Sequence, residues 1–154
     1  MKRIPLTQEQ FALVDDEDYE ELSQFKWFAQ WSPNTRSDYA QRNIRLPDGK
    51  WTTEKMHRRI LGLKCGDNRQ GDHFNHATLD NRRLNIRIVT RSENMHNCRA
   101  KGYTWNNRDK KFQAKIRVDG VCTSLGAYDT SAEAHAAYMA AKRIYHPTAP
   151  KTML

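Results

Sequence analysis

Gly71-Asp-His-Phe-Asn75, Leu79-Asp-Asn-Arg82 and Asn85-Ile-Arg-Ile-Val-Thr-Arg-Ser-Glu-Asn94 are the stretches on which the reading of this chain turns. Asp72 and His73 are adjacent, and Asn85 and Asn94 follow thirteen and twenty-two positions after Asp72. Ile86–Thr90 alternates and is β-branched, which predicts a strand. Thr90-Arg-Ser-Glu93 is a capping box, so a helix should begin at Arg91 with Asn94 in its first turn. Asp72-His73 should close an earlier strand, antiparallel to Ile86–Thr90, with a turn-rich loop through Asn75–Leu84 between them. Strand, loop, strand and helix would then converge on one point.

Downstream, Phe112, Ala114, Ile116 and Val118 alternate with Gln113, Lys115 and Arg117, the pattern of a strand with one buried and one wet face. Asp119-Gly120 is a two-residue hairpin signal. It should pair Val118 with Val121 and Arg117 with Cys122, placing Ala114, Ile116, Val118, Val121 and Leu125 on the buried side. Thr130-Ser-Ala-Glu133 is a second capping box, opening a helix whose Ala134, Ala137, Tyr138, Ala141, Ile144 and Tyr145 follow helical spacing up to Pro147.

Upstream, Phe11–Val14 predicts a short strand, and the acids Asp15–Asp18 suit the positive end of a helix with Tyr19, Leu22 and Phe25 as its apolar stripe. Trp27–Trp31, Tyr39–Arg45 and Lys50–Glu54 predict strands around the Pro47-Asp-Gly49 turn, and Met56–Leu61 a helix closed by Gly62. The fold class expected is α+β in three parts. Residues 1–66 form a β-rich module, residues 67–98 carry the opening motif, and residues 99–154 form a three-stranded sheet on one helix with a short tail.

Only 38% of the 154 residues are hydrophobic and 29% are charged, which favours several small cores over one large one. The net charge is +8. Seven of the 18 acidic residues precede residue 22, so the rest of the chain carries 24 basic and 11 acidic side chains, an excess of +13. Such an excess points to a polyanionic partner. Cys65, Cys98 and Cys122 form no Cys-x-x-Cys pair, and reduced thiols are expected. A zinc site from Cys65, His96 and Cys98 fits no common ligand spacing. No stretch reaches the ~18 apolar residues of a membrane span and no apolar signal core is present, so a cytoplasmic protein with no membrane partner is expected.

The residues of the motif suit phosphodiester hydrolysis. Asp72 offers an anionic oxygen and Asn94 an amide oxygen to one hard cation, Mg²⁺ or Mn²⁺. His73 has a near-neutral pKa suited to a general base, and Asn85 is a candidate to hold either the loop or the imidazole. His76 and His96 fit no role as well and are expected at the surface, or at most as phosphate contacts. His57-Arg58-Arg59, and Arg82, Arg83 and Arg87 beside the motif, are candidate phosphate contacts; a solvated basic face is at least as plain a reading of the first three.

At these positions the chain resembles the HNH endonucleases, specifically phage and intron-type homing enzymes with a His-Asn-Asn site and an aspartate before the histidine. The match spans roughly residues 55–98. It implies a ββα-metal fold in which Asp72 and Asn94 bind the cation, His73 activates water, Asn85 supports the site, and the products carry 5′-phosphate and 3′-hydroxyl ends. One departure is Gly71, where such proteins usually have Val or Ile. Lys101-Gly-Tyr-Thr-Trp105, Lys111-Phe-Gln-Ala-Lys-Ile-Arg117, Leu125-Gly126 and the Ala-rich helix resemble the plant ethylene-response-factor (AP-two) DNA-binding domain. That resemblance implies a sheet in the major groove of duplex DNA, with Trp105, Lys111, Gln113, Lys115 and Arg117 matching its contact face.

The expectation is therefore a metal-dependent DNA endonuclease, monomeric or dimeric. The alternatives are a non-catalytic DNA-binding regulator or accessory protein with an HNH-like shell, and, more remotely, a structural RNA-associated protein.

Overall fold

A computed structural model describes residues 1–149 of the chain. The protein is α+β, with small antiparallel sheets and four helices among the described residues. It divides into two compact units, Met1–Thr90 and a second beginning at Arg91.

In the first unit, β1 (Lys2–Pro5) pairs antiparallel with β2 (Phe11–Val14), and α1 (Asp16–Leu22) follows. β1 has no counterpart in the sequence reading. A second sheet runs β3 (Phe28–Ser32), β4 (Ser37–Arg45) and β5 (Trp51–Lys55), leading directly into α2 (Met56–Ile60). Ile4, Ala12, Val14, Leu22, Trp27, Ala40 and Met56 close over one another as the core. The Trp27 indole N–H donates to the Leu22 carbonyl (2.8 Å), satisfying the one polar atom that burial of the ring would otherwise strand. β6 (Gln70–His73) and β7 (Ile86–Val89) then form the expected antiparallel hairpin, in register Asp72 to Arg87 and His73 to Ile86.

The acids of α1 do more than face a helix dipole. Asp15 makes no side-chain cap; its Oδ2 accepts from the Arg83 backbone N–H at 2.8 Å. Arg83 forks onto Asp18 at 2.7 and 3.0 Å and pairs with Glu17 at 2.6 Å. The acidic run is thus the dock for the loop between β6 and β7.

The second unit opens with α3 (Arg91–His96), beginning where the capping box places it. β8 (Tyr103–Asn106), β9 (Lys111–Val118) and β10 (Val121–Tyr128) form a three-stranded antiparallel sheet with β9 central. α4 (Ser131–Tyr145) packs on one face, opened by a complete capping box between Thr130 and Glu133. The hairpin register is the expected one, with Val118 opposite Val121 and Arg117 opposite Cys122.

Two packing details differ from expectation. Val121 is 65% exposed rather than buried: burial falls from Ala114 and Ile116 at the sheet centre to half-buried Val118, and the hairpin tip lies past the helix's cover. On α4, Ile144 and Tyr145 are exposed, and the buried set is Ala134, Tyr138, Ala141 and Lys142. Gly102 has φ +76°, and a Cβ there would overlap the Tyr138 ring, so this position admits only glycine without displacing the core tyrosine.

Candidate functional site

β6 carries Asp72 and His73 to opposite faces of the hairpin, as successive strand residues must be. Asp72 is 8% exposed; its Oδ2 accepts from Nε of Arg87, its direct cross-strand neighbour, at 2.9 Å, and the guanidinium Nη2 lies at ion-pair distance, also 2.9 Å. A carboxylate so removed from water needs positive charge beside it, and one guanidinium supplies it here.

His73 is 4% exposed. Its Nε2 lies 3.2 Å from Oδ1 of Asn81, whose own Nδ2 donates to the Leu79 carbonyl at 3.2 Å. That second bond fixes which way the amide points. An amide oxygen can only accept, so the proton sits on Nε2 and the imidazole lone pair on Nδ1. Burial holds His73 below its ordinary pKa of 6.5, against the opposing pull of Asn81 and Asp72. The ring is neutral at neutral pH, the form a base requires.

The two roles left open for Asn85 resolve in favour of the loop. Its Oδ1 accepts from the Asn75 backbone N–H at 3.0 Å, and its Nδ2 donates to the Asp80 carbonyl at 2.7 Å and that of Ala77 at 3.3 Å. The imidazole is held by Asn81, which is fully buried and belongs to a turn whose composition signalled only a turn. Asp80 and Arg82 lock the same turn by a paired fork, both bonds 2.7 Å. Leu13 of β2 bonds to it on both sides, its N–H to Leu79 and its carbonyl from Asn81. The loop is therefore pinned from β2, from α1 and from within.

Behind His73 stands His57, the second residue of α2, 4% exposed. The two imidazoles meet edge to face at 4.6 Å, and the Tyr39 ring lies 5.9 Å from each. His57 also accounts for Gly71: a Cβ on residue 71 would stand 2.5 Å from His57 Cδ2. The ring fills the volume a valine or isoleucine side chain would need. Burial first, and then the neighbouring His73, Lys55 and Arg58, hold the His57 pKa well below 6.5.

The arginines that flank the candidate site in the first unit are engaged internally. Arg58 donates to the carbonyls of Lys64, Asp67 and Arg69, and Arg59 pairs with Glu21 and Glu54. Arg82, Arg83 and Arg87 hold Asp80, Asp18 and Asp72. Each ties the scaffold together in this state. His76 is half-buried with φ +64°. His96 is not a plain surface residue, since its ring stacks on His146 at 4.1 Å. Asn94 lies half-buried in the first turn of α3, the helix that opens the second unit.

On the sheet of the second unit, Lys115 and Arg117 are exposed, with Gln113 and Lys111 half-buried in the same row. Lys111 pairs with Asp129 at 3.2 Å; Lys115 and Arg117 have no ion-pair partner among the described residues. Trp105 does not join this row. It lies directly opposite Phe112, so it shares the face that holds Ala114 and Ile116, and its ring meets Phe112 at 4.7 Å. Thr104, opposite Gln113, takes its place on the basic face.

Among the described residues no three His, Cys, Asp or Glu side chains converge as a cation cage. The Asp72 carboxylate is a hard oxygen donor, which suits Mg²⁺ and not a soft metal. Arg87 already meets the charge demand of nearly buried Asp72, so an ion there would share the carboxylate with the guanidinium. No described helix is long and apolar enough to cross a membrane. No family model, curated protein or solved structure matches the chain.

Proposed function

We propose that this protein is a metal-dependent DNA endonuclease of the HNH type. The observation that carries the reading is His73: a neutral imidazole, oriented by Asn81 with its lone pair on Nδ1, on the same strand as a carboxylate. His73 would take the proton of the attacking water through Nδ1. Asn81 would hold the tautomer and Asn85 the loop that presents it. Asp72, with Asn94 assigned from its spacing in the sequence, would hold one Mg²⁺ or Mn²⁺. Such an ion, when bound, neutralises charge on the phosphoryl oxygens and helps the departing oxygen leave. Gln113, Lys115 and Arg117 would meet duplex DNA, the lysine at phosphate and the arginine at phosphate or a guanine edge. The 5′-phosphate and 3′-hydroxyl products and a homing or nicking role in a phage or mobile element rest on the family resemblance.

One observation favours the accessory-protein reading. The Arg87 ion pair gives Asp72 a structural partner that needs no metal.

Incubation with supercoiled plasmid and Mg²⁺ separates the two. The nuclease relaxes or linearises plasmid, stops in EDTA, and fails as His73→Ala. Plasmid retarded in a gel but never cut under any divalent ion sinks the nuclease and leaves the binder.

A further inference from the structure

A second candidate site lies within the second unit, on the helix side of its sheet. A cleft of about 500 Å³ opens between α4 and the segment leading into β8. Arg99, Lys101 and Lys142 line it with Tyr103, His135 and Met139, and no carboxylate does.

Lys142 is the unusual member. It is 2% exposed, yet its Nζ has a carbonyl partner, that of Cys98 at 2.9 Å, and no carboxylate. An ammonium has three protons to donate, and a buried cation without a counter-ion is costly. Arg99 and Lys101, both exposed, add to the positive potential of the cleft.

The remaining wall suits a flat ring. Tyr103 and His135 stand edge to face at 6.4 Å, and the Met139 thioether lines the cleft with them. His135 Nδ1 lies 2.8 Å from the Lys101 carbonyl, which can only accept, so Nδ1 carries the proton and Nε2 is left as an acceptor. Cations at one part, aromatic and sulfur surface at another, and a volume in the range of small-ligand sites make the complement of a nucleotide.

We infer that the Arg99–Lys101–Lys142 cleft binds a nucleoside monophosphate unit, with the phosphate at the three cations and the base against Tyr103 and Met139. The unit is either a free nucleotide or the 5′-phosphorylated end of a single strand, which share this chemistry. The inference does not rest on the nuclease reading. Tyr103 is opposite Ala114 in the sheet register, so the cleft and the Lys115–Arg117 row lie on opposite faces and can be tested apart.

Calorimetric titration of the full chain with adenosine 5′-monophosphate, adenosine and inorganic phosphate tests it. Saturable binding of the monophosphate is expected, with adenosine and phosphate each weaker by about tenfold or more. Arg99→Ala/Lys101→Ala, both surface positions that leave the core intact, should weaken it by about tenfold; Lys115→Ala on the other face should not change it. A short 5′-phosphorylated single strand that displaces the mononucleotide, where its 5′-hydroxyl twin does not, identifies a strand end as the ligand; absence of displacement identifies the free nucleotide. The inference is overturned if the monophosphate does not saturate the protein at millimolar concentration, if phosphate alone binds as tightly, or if Lys115→Ala weakens binding as much as the double variant.

Discussion

Gly71→Ala is the sharpest probe of how the hairpin is supported. The added Cβ would stand 2.5 Å from His57 Cδ2, 3.1 Å from its Nε2 and 3.3 Å from Leu61 Cδ1. The first distance is about 1 Å short of ordinary carbon contact. The imidazole has little room to yield, being 4% exposed and set against His73 and Tyr39. Overpacking of this kind costs about 1–3 kcal/mol. A unit of this size loses roughly 4–8 °C of Tm per kcal/mol, so the expected fall is about 4–24 °C. His57→Ala alone should also destabilise, by about 2–4 kcal/mol, through the cavity it leaves. In the double variant the methyl enters that cavity, so the two costs should fail to add by about 1–2 kcal/mol. Thermal and guanidinium melts followed by circular dichroism measure all four corners of the cycle. Strict additivity, or a Gly71→Ala protein as stable as the parent, would refute the claim that His57 is what forces glycine at this position.

Asn81→Ala should leave plasmid retention unchanged while lowering the nicking rate by roughly 10²-fold, because His73 loses the partner that sets its tautomer; an unchanged rate would remove Asn81 from the mechanism. Acid should destabilise the first unit through His57. Its folded pKa is held below 6.5, so the stability it contributes is complete above pH 6.5 and is lost as pH falls through the lower folded value, when the unfolded chain gains the proton first. Tm measured from pH 8 to pH 5 should be flat above 6.5 and then decline, and His57→Phe should flatten that decline; a slope unaffected by the substitution refutes it. Lys115→Ala/Arg117→Ala should reduce the slope of log affinity for duplex DNA against log salt by about 2, and an unchanged slope would place the DNA elsewhere.

β9, β10 and α4 of the second unit are legible because each has a strong local cause, whereas β8 is expected only from the family resemblance. A strict alternation made β9, Asp119-Gly120 fixed its register with β10, and the Thr130 capping box started α4. β1 was not legible, since Lys2–Pro5 is short, ends in proline, and forms only by pairing with β2. The same contrast runs through the candidate site. Asp72, His73 and Asn85 stand out by spacing, but Asn81 gains its role from the fold of an irregular loop, and nothing in Leu79-Asp-Asn-Arg82 says which side chain turns inward. His57 is legible only in three dimensions. Its neighbours Arg58 and Arg59 make the segment look like a basic surface, whereas the imidazole points into the space above Gly71. The departure at residue 71 and the buried histidine are one packing solution, a ring supplied from α2 in place of a side chain on β6.

Charge is where the sequence overstates what is available to a ligand. Counting residues assigns a large positive excess to everything after the amino-terminal acids. In the fold those acids are not segregated: Asp15, Glu17 and Asp18 meet Arg83, and Glu21 meets Arg59. Arg58, Arg82 and Arg87 are likewise held by carbonyls or carboxylates of the same unit. To recruit any of them, a polyanion would have to replace a bond that holds the scaffold, so the site loop would loosen as the ligand bound. Lys115 and Arg117 ask for no such exchange, and neither do Arg99 and Lys101, which have no ion-pair partner among the described residues. Lys115 and Arg117 on one face of the second unit's sheet, and Arg99 and Lys101 on the other side, thus add to Lys26, Arg36 and Lys64, which are exposed in the first unit without an ion-pair partner among the described residues. Arg82 and Arg83 of the first unit instead hold the loop that carries Asn81, the partner of His73, so an anion that drew on them would disturb the setting of that imidazole.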